Sequence, residues 1–294
     1  MIPINNVNFL WGIDIKVVFL QNNSNMKKVI IITLIILFTL TLVTVICVIV
    51  AKQSIVHVQL PHGAVLHVFP HHRDYKTDGA IIICPGGGYR YLAKRHEGYM
   101  WFPFFYFQGY TPALLEYRMP KHDSQTPLID GTEAVKMMRK RAKVWHFNDN
   151  NIGIVGFSAG GHLASTMLVT ENDSARPDFG ILFYPVISMK RELTHLGTHD
   201  QLLGQDASEE LENRHSNELL VTEYTPPTYI ALSDDDRCVN PQNSIRFYDE
   251  MRAKNRSVTL HVYPTGDHGW GYKLSFDYHR HMLKDLKEWL SKRK

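Results

Sequence analysis

From residue 55 onward, short and almost wholly apolar runs alternate with longer stretches whose apolar residues recur at helical spacing. No other feature of the sequence restricts the fold as much. The runs are "IVHVQL" from Ile55, "AVLHVF" from Ala64, "AIIIC" from Ala80, "TPALLEY" from Thr111, "NIGIVGF" from Asn151, "FGILFYPV" from Phe179, "PTYIALS" from Pro227 and "VTLHVYP" from Val258. The first two, joined through Pro61-His62-Gly63, read as an opening hairpin. The others are too short for helices and too apolar for strands with one wet face, so they suit strands buried on both sides. Between them, Leu128, Val135, Met138 and Ala142 share one helical face. Met282, Leu283, Leu286, Trp289 and Leu290 share another, with lysines opposite. The pattern predicts an α/β fold with a mostly parallel central sheet and helices on both faces. No repeat, low-complexity tract or linker interrupts residues 55–294, so 53–294 reads as one domain. The polar segment from about Lys190 to Thr225 breaks the alternation and reads as a helical insertion over the carboxyl edge of the sheet.

The amino-terminal part is of another kind. Val29 to Val50 is a run of 22 uncharged residues, preceded by Lys27 and Lys28 and followed by Lys52. As a helix it would reach roughly 30 Å, enough to span a bilayer. The leading lysines favour a cytoplasmic amino end and an exported body. Residues 26–52 are therefore expected to be an uncleaved membrane anchor or a long signal peptide cut after Ala51. The protein would then be periplasmic or in the cell envelope, anchored or secreted. Residues 1–25 fit neither segment and read as an upstream extension, with translation starting at Met26.

Charge and composition exclude several classes. With 32 basic against 29 acidic residues the net charge is +3, which gives no reason to expect nucleic acid as a partner. The 16 histidines are scattered without an HExxH pair, so no metal site is expected. The three cysteines make no disulfide or zinc framework; Cys84 and Cys238 read as small buried hydrophobes.

The chemistry concentrates at strand ends. "GFSAG" places Ser158 between Gly156 and Gly160, after a strand and before a helix. A serine on that sharp turn projects its hydroxyl beyond the carboxyl end of the sheet, and the residues two before and two after must be small. The Ala159 N–H would then point to where an oxyanion forms. A serine hydroxyl needs a base, and the base needs an orienting acid. Both should follow later strands in the order serine, acid, histidine. "SDDDRCVN" supplies the acid, Asp236 or alternatively Asp235, and "TGDHGWG" supplies His268. His162, on the helix after Ser158, reads as a packing residue. "CPGGGY" follows the "AIIIC" strand and would give a second oxyanion donor from Gly87 or Gly88. Tyr89, Tyr91 and Trp270 flank these loops and are expected to line a substrate pocket. The aromatic stretch "YMWFPFFYF" from Tyr99 reads as a helix face packed on the sheet.

In this order and context "CPGGGY", "GFSAGGHLAS", "SDDDRCVN" and "YPTGDHGWG" resemble the α/β-hydrolase superfamily. More narrowly they resemble the esterases, often from gut and soil Bacteroidota, that remove acetyl and similar groups from plant xylan. That group is related to prolyl-oligopeptidase and dienelactone hydrolase-like enzymes. "HLGTHDQLLG" and "TPPTYIALSDDD" extend the likeness, which covers about residues 55–294. The acid loop departs from the usual D-x-V-V-P, with Cys238 and Asn240 in place of a valine and the proline. The resemblance implies a serine esterase acting on an acylated carbohydrate, needing no cofactor, with Ser158 as nucleophile, His268 as base and Asp236 as orienting acid. A feruloyl or general carboxylesterase, a prolyl-oligopeptidase-like peptidase and a non-catalytic anchored binding module are the alternatives.

Overall fold

Each apolar run except the first two became a parallel strand. In the computed structural model, whose described residues are 26–42, 44, 55–71, 77–171 and 174–293, one sheet is built from β1 (Val56–Gln59), β2 (Val65–Val68), β3 (Gly79–Cys84), β4 (Tyr110–Glu116), β5 (Ile152–Phe157), β6 (Phe179–Phe183), β7 (Thr228–Ser233) and β8 (Val258–Tyr263). The spatial order is β1-β2-β4-β3-β5-β6-β7-β8. The β1–β2 hairpin is antiparallel and joins β4 antiparallel, whereas β4, β3, β5, β6, β7 and β8 run parallel. The chain leaves β3 toward one edge to make β4, then returns to the other side of β3 to make β5. That reversal opens a crevice at the carboxyl ends of β3 and β5, the usual ligand position in an open α/β sheet.

The period-two alternation of the strands sorts their side chains onto two faces. Ile82, Ile154, Leu182 and Ile230 face one core, with Val135 and Met138 of α3 (Gln125–Trp145), Leu163 and Met167 of α4 (Ser158–Val169), and Phe247 of α7 (Gln242–Ala253). Ile81, Ile83, Val155, Phe157 and Phe183 face the other. There they meet Trp101, Phe105 of α2 (Phe102–Phe107), and Met282, Leu286 and Trp289 of α8 (His279–Ser291). Trp101 lies 4.9 Å from Phe183 and 5.5 Å from Phe157, centroid to centroid. The aromatic stretch thus serves as packing, although Phe107 at its end is exposed.

The polar segment between β6 and β7 folds into α5 (Leu196–Leu203), α6 (Glu209–Arg214) and a 3₁₀ turn, Asn217–Leu220. Leu202, Leu203 and Val221 bury it in the main core, and polar contacts fix it further. Buried His199 sits between Asp200 at 2.9 Å and Glu212 at 3.0 Å. Asn217 donates to the His162 carbonyl at 3.1 Å and to Ser165 Oγ at 2.7 Å.

The chain divides into two compact units, Met1–Ser54 and Ile55–Lys294. In the first, residues 26–42 form helix α1, and apolar side chains such as Ile31, Leu37 and Phe38 are exposed. Among the described residues no helix is long and apolar enough to cross a membrane. The run expected to do so continues through residues 45–50. Those residues lie outside the described ones, as do residues 1–25, Ala51 and His72.

His162 reports on how the insertion is fixed. Its Nε2–H donates to the His215 carbonyl at 2.9 Å, and its Nδ1 accepts from the Tyr89 hydroxyl at 3.1 Å. Both nitrogens are used by the neutral ring, and burial pushes its pKa down to about 3. The unfolded chain therefore binds a proton that the folded one refuses, between about 3 and the ordinary histidine value. This contribution is complete above about pH 6.5 and is lost as the pH falls. We expect His162→Gln, which keeps two polar ends without titrating, to flatten the fall of urea-unfolding free energy between pH 6.5 and 4.5. The difference in slope should approach about 1.4 kcal/mol per pH unit; equal slopes in both proteins would refute it.

Candidate active site

The crevice at β3 and β5 receives the two glycine-rich loops. β5 ends at Phe157, and Ser158 turns the chain at once into α4 with φ +51°. That left-handed conformation costs an L-residue about 1–2 kcal/mol and persists only where the surroundings impose it. Here they do, because a Cβ at Gly156 would overlap Gly160 O and Ala164 Cβ, and one at Gly160 would overlap the Cys84 and Pro85 carbonyls. The glycines let α4 start against the strand ends. The amide of Ala159, second residue of α4, is among the donors that a helix leaves free at its first turn.

The partners arrive from the next strands. His268 Nε2 lies 2.8 Å from Ser158 Oγ, and His268 Nδ1–H donates to Asp236 Oδ2 at 2.7 Å. Asp236 is buried, and its other oxygen accepts from the Cys238 and Val239 amides, both at 2.9 Å. Of the three adjacent acids it is thus Asp236 that reaches the histidine. Asp235 instead accepts from the Asp267 amide at 2.8 Å. Asp267 in turn binds the Arg237 backbone and guanidinium, so the acid loop and the histidine loop are joined twice beside the catalytic contact.

Gly87 and Gly88 line a cavity of about 650 Å³ together with Ser158 and His268. Their φ angles are +130° and +61°. A Cβ on Gly87 would overlap the Tyr91 carbonyl, so the loop requires glycine there. Among the described residues, neither amide donates to a protein carbonyl.

Two residues expected to line this cavity do not. Tyr89 is 1% exposed, with its hydroxyl on His162 and its ring packed against Tyr117. Trp270 is 3% exposed, stacked on Phe276 at 4.3 Å, with its indole N–H on Ser233 Oγ at 3.0 Å. Large rings next to the loops were drawn under them, where burial rewards area and a partner satisfies the polar tip. Tyr91 does line the cavity and is exposed. Cys238, expected to be buried, is exposed and also faces the cavity, because its amide is committed to Asp236.

Several residues that the sequence reading passed over converge here. Glu97 is 3% exposed beneath the cavity. Its Oε2 accepts from the Gly86 amide at 2.9 Å and its Oε1 from the Tyr184 hydroxyl at 2.9 Å. The Tyr184 oxygen accepts from the Gly271 amide at 2.8 Å, and its ring meets the His268 ring edge-on at 4.8 Å. Burial pushes the Glu97 carboxyl up, while the bonds from Tyr184 and Gly86 hold it down. One buried carboxylate thereby ties the glycine loop to the histidine loop. His195, from the insertion, accepts the Thr198 amide on Nδ1 as the cap of α5, which leaves Nε2 for the cavity side. His195 and His199 stand four residues apart, an HxxxH spacing that the expectation of no paired histidines overlooks. His199 is used up inside the insertion, and among the described residues no group of histidines, cysteines and acids is placed to hold a metal.

Glu97→Gln keeps the volume but puts a donor where two donors already point. We expect turnover of an aryl ester to fall about 10- to 100-fold in kcat with KM changed less than about threefold. Thermal denaturation and steady-state kinetics of the same preparation check this. A KM effect alone, or a loss of activity that merely follows loss of fold, would show that Glu97 does not position the reacting groups.

Known proteins resemble this chain. The family described as BD-FAE matches residues 67–183. The acetylxylan esterase of Xylanibacter ruminicola is 40% identical over 215 residues, covering 72% of this chain and 45% of that protein. Endo-1,4-beta-xylanase B of Butyrivibrio fibrisolvens is 34% identical over 221 residues, covering 69% of this chain and 34% of that protein. The chain thus spans less than half the length of these curated relatives. The crystal structure of an acetyl ester-xyloside bifunctional hydrolase from Caldicellulosiruptor lactoaceticus superposes with a TM-score of 0.73 at 30% identity, over 79% of this chain and 89% of that one. With that fold, strand order and likeness together, the chain belongs to the α/β-hydrolase family.

Proposed function

We propose that the protein is a serine esterase that removes acetyl groups from xylan-type polysaccharides or their oligosaccharides. The observation that carries this reading is the continuous line of hydrogen bonds from Asp236 through His268 to Ser158, opening on the cavity beside Gly87 and Gly88. The similarity to an acetylxylan esterase and to an acetyl ester-xyloside hydrolase supports the choice of ester and sugar.

The reaction follows from the geometry. His268 takes the Ser158 proton on Nε2 as the oxygen attacks the ester carbonyl. Asp236, fixed by two backbone amides, holds the ring and balances its positive charge. The carbonyl oxygen becomes an anion held by the Ala159 amide and by Gly87 or Gly88, a type of contact worth about 10²–10³ in rate per donor. The sugar alcohol leaves with the proton from His268, and water, deprotonated by the same ring, releases the acid from Ser158. Tyr91 is the aromatic residue available at the cavity to stack against a sugar ring.

We infer also, from the amino-terminal sequence, that the catalytic unit lies outside the cytoplasm. Residues 26–52 would act as anchor or export signal, on the strength of the uncharged run from Val29 to Val50. Cell fractionation with amino-terminal sequencing tests this. Recovery of the protein in the soluble cytoplasm with residues 26–52 intact would overturn it.

For the chemistry, acetate release from acetylated xylo-oligosaccharides should be measured for the full chain and for Ser158→Ala. The substitution should lower turnover by at least about 10⁴-fold with the fold intact. Release retained in the variant would remove Ser158 from the mechanism. Cleavage of an aryl acetate without release from the oligosaccharide would keep the triad and reject the carbohydrate.

A further inference from the structure

The exposed charges around the cavity are one-sided. Arg90 follows the glycine loop and is exposed, its guanidinium beside Gly197 at the start of α5. Lys273 lies five residues after His268, on the same loop, and is also exposed. Among the described residues neither makes an ion pair, in contrast to Arg237, Lys94, Arg118 and Arg139, each of which has a carboxylate partner.

Among the described residues no exposed acid lines the cavity, and the one acid on its wall, Glu97, feels the charge of Lys273 from a buried position without pairing with it. Both its oxygens accept from Gly86 and Tyr184. Asp236 is occupied by His268 and two amides, and Asp267 by Arg237. The remaining polar wall also donates. His195 Nδ1 is already an acceptor for Thr198, so its neutral ring carries the proton on Nε2. Burial, then the charges of His268 and Arg90, hold His195 below the ordinary histidine range. Burial and the charge of Lys273 do the same to His96.

An acetyl ester on a plain pentose chain is neutral and gains nothing from two unpaired cations. A carboxylate does, since it accepts from a guanidinium fork, an ammonium and an imidazole N–H. Clefts lined by one sign of charge also concentrate the opposite ion. We propose that Arg90 and Lys273 bind a carboxylate on the substrate, so that the preferred ester is an acylated oligosaccharide bearing an acidic group. This rests on the esterase reading above. The carboxylate has two chemical sources, a uronic acid branching from the sugar chain near the acylated residue, or an acid at the far end of the acyl group.

The experiment compares two substrate pairs on the full-length protein. One pair is an acetylated xylo-oligosaccharide with and without a uronate branch, and the other is an aryl hemisuccinate and the matching aryl acetate. For each, kcat/KM is read at low salt and at roughly 0.5 M salt, where charge attraction is largely screened. The readout is the acidic-to-neutral ratio in the wild type divided by that in Arg90→Gln/Lys273→Gln. We expect this quotient to be about three- to tenfold for one pair, and to shrink toward unity at high salt. A quotient above unity in the branched pair alone assigns the carboxylate to the sugar, and in the succinyl pair alone to the acyl group. A quotient near unity in both pairs, with the neutral esters still cleaved, overturns the proposal and leaves the esterase reading standing. Cleavage of no ester beyond that seen with Ser158→Ala removes both readings together. Should the double variant fail to fold, the two single variants and the salt dependence of the wild type decide in the same way.

Discussion

The backbone of Ser158 is the constraint on which the rest of the site depends. A left-handed residue between a strand and a helix forces the two elements to meet almost at a point. Everything nearby must be small or backbone, which is why Gly156 and Gly160 touch carbonyls and a methyl group where any side chain would collide. The conformation is not favourable in itself. It is imposed by β5, locked between β3 and β6 at the centre of the sheet, and by α4, packed through Leu163 and Met167 into the core. The sheet is in this sense a clamp that holds one hydroxyl and one amide in a fixed relation.

The clamp alone does not align a base with that hydroxyl, since His268 comes from a loop at the far side of β7. Its position is set by two kinds of contact. Asp235, Asp267 and Arg237 stitch the histidine loop to the acid loop, and these bonds lie in water, where each is weak. Glu97 and Tyr184 act from beneath, where both are buried and their hydrogen bonds are correspondingly strong. The buried pair also reaches the glycine loop, so oxyanion donors and base share one support. An unpaired carboxylate in the interior is costly unless its oxygens are satisfied. Glu97 meets that condition with one amide and one hydroxyl.

Much of this was legible in the residues. The alternation of apolar runs gives the strands because burial on both faces demands continuous apolar sequence, and a parallel sheet buries both faces. Ser158, Asp236 and His268 are legible because each sits where a strand ends, in a loop otherwise made of glycine, aspartate and other turn residues. The buried aromatic stretch from Tyr99 is legible for the same reason as the strands. What escaped has a common cause. Glu97 sits in "KRHEGY", a charged run that reads as solvated, and only the fold reveals the Tyr184 hydroxyl 87 positions away. Tyr89 and Trp270 adjoin reactive loops, but adjacency in sequence says nothing about which side of a loop a ring will take. Cys238 departs from the usual burial of cysteine, since its backbone amide is held by Asp236 at the cavity edge.

The insertion between β6 and β7 carries a consequence for how such a protein changes over evolutionary time. Its internal ion pairs, His199 with Asp200 and Glu212, are its own, and it is attached by Leu202, Leu203 and Val221 in the main core and by polar bonds to α4. It sends to the cavity wall His195 and Gly197, while every group that handles the ester proton belongs to the sheet or to the loops that end its strands. A segment built this way separates the shape of the cavity from the chemistry done in it. Its cavity-facing residues can change while its buried leucines stay, and the selectivity of the cavity will follow without the reaction chemistry having to be reassembled.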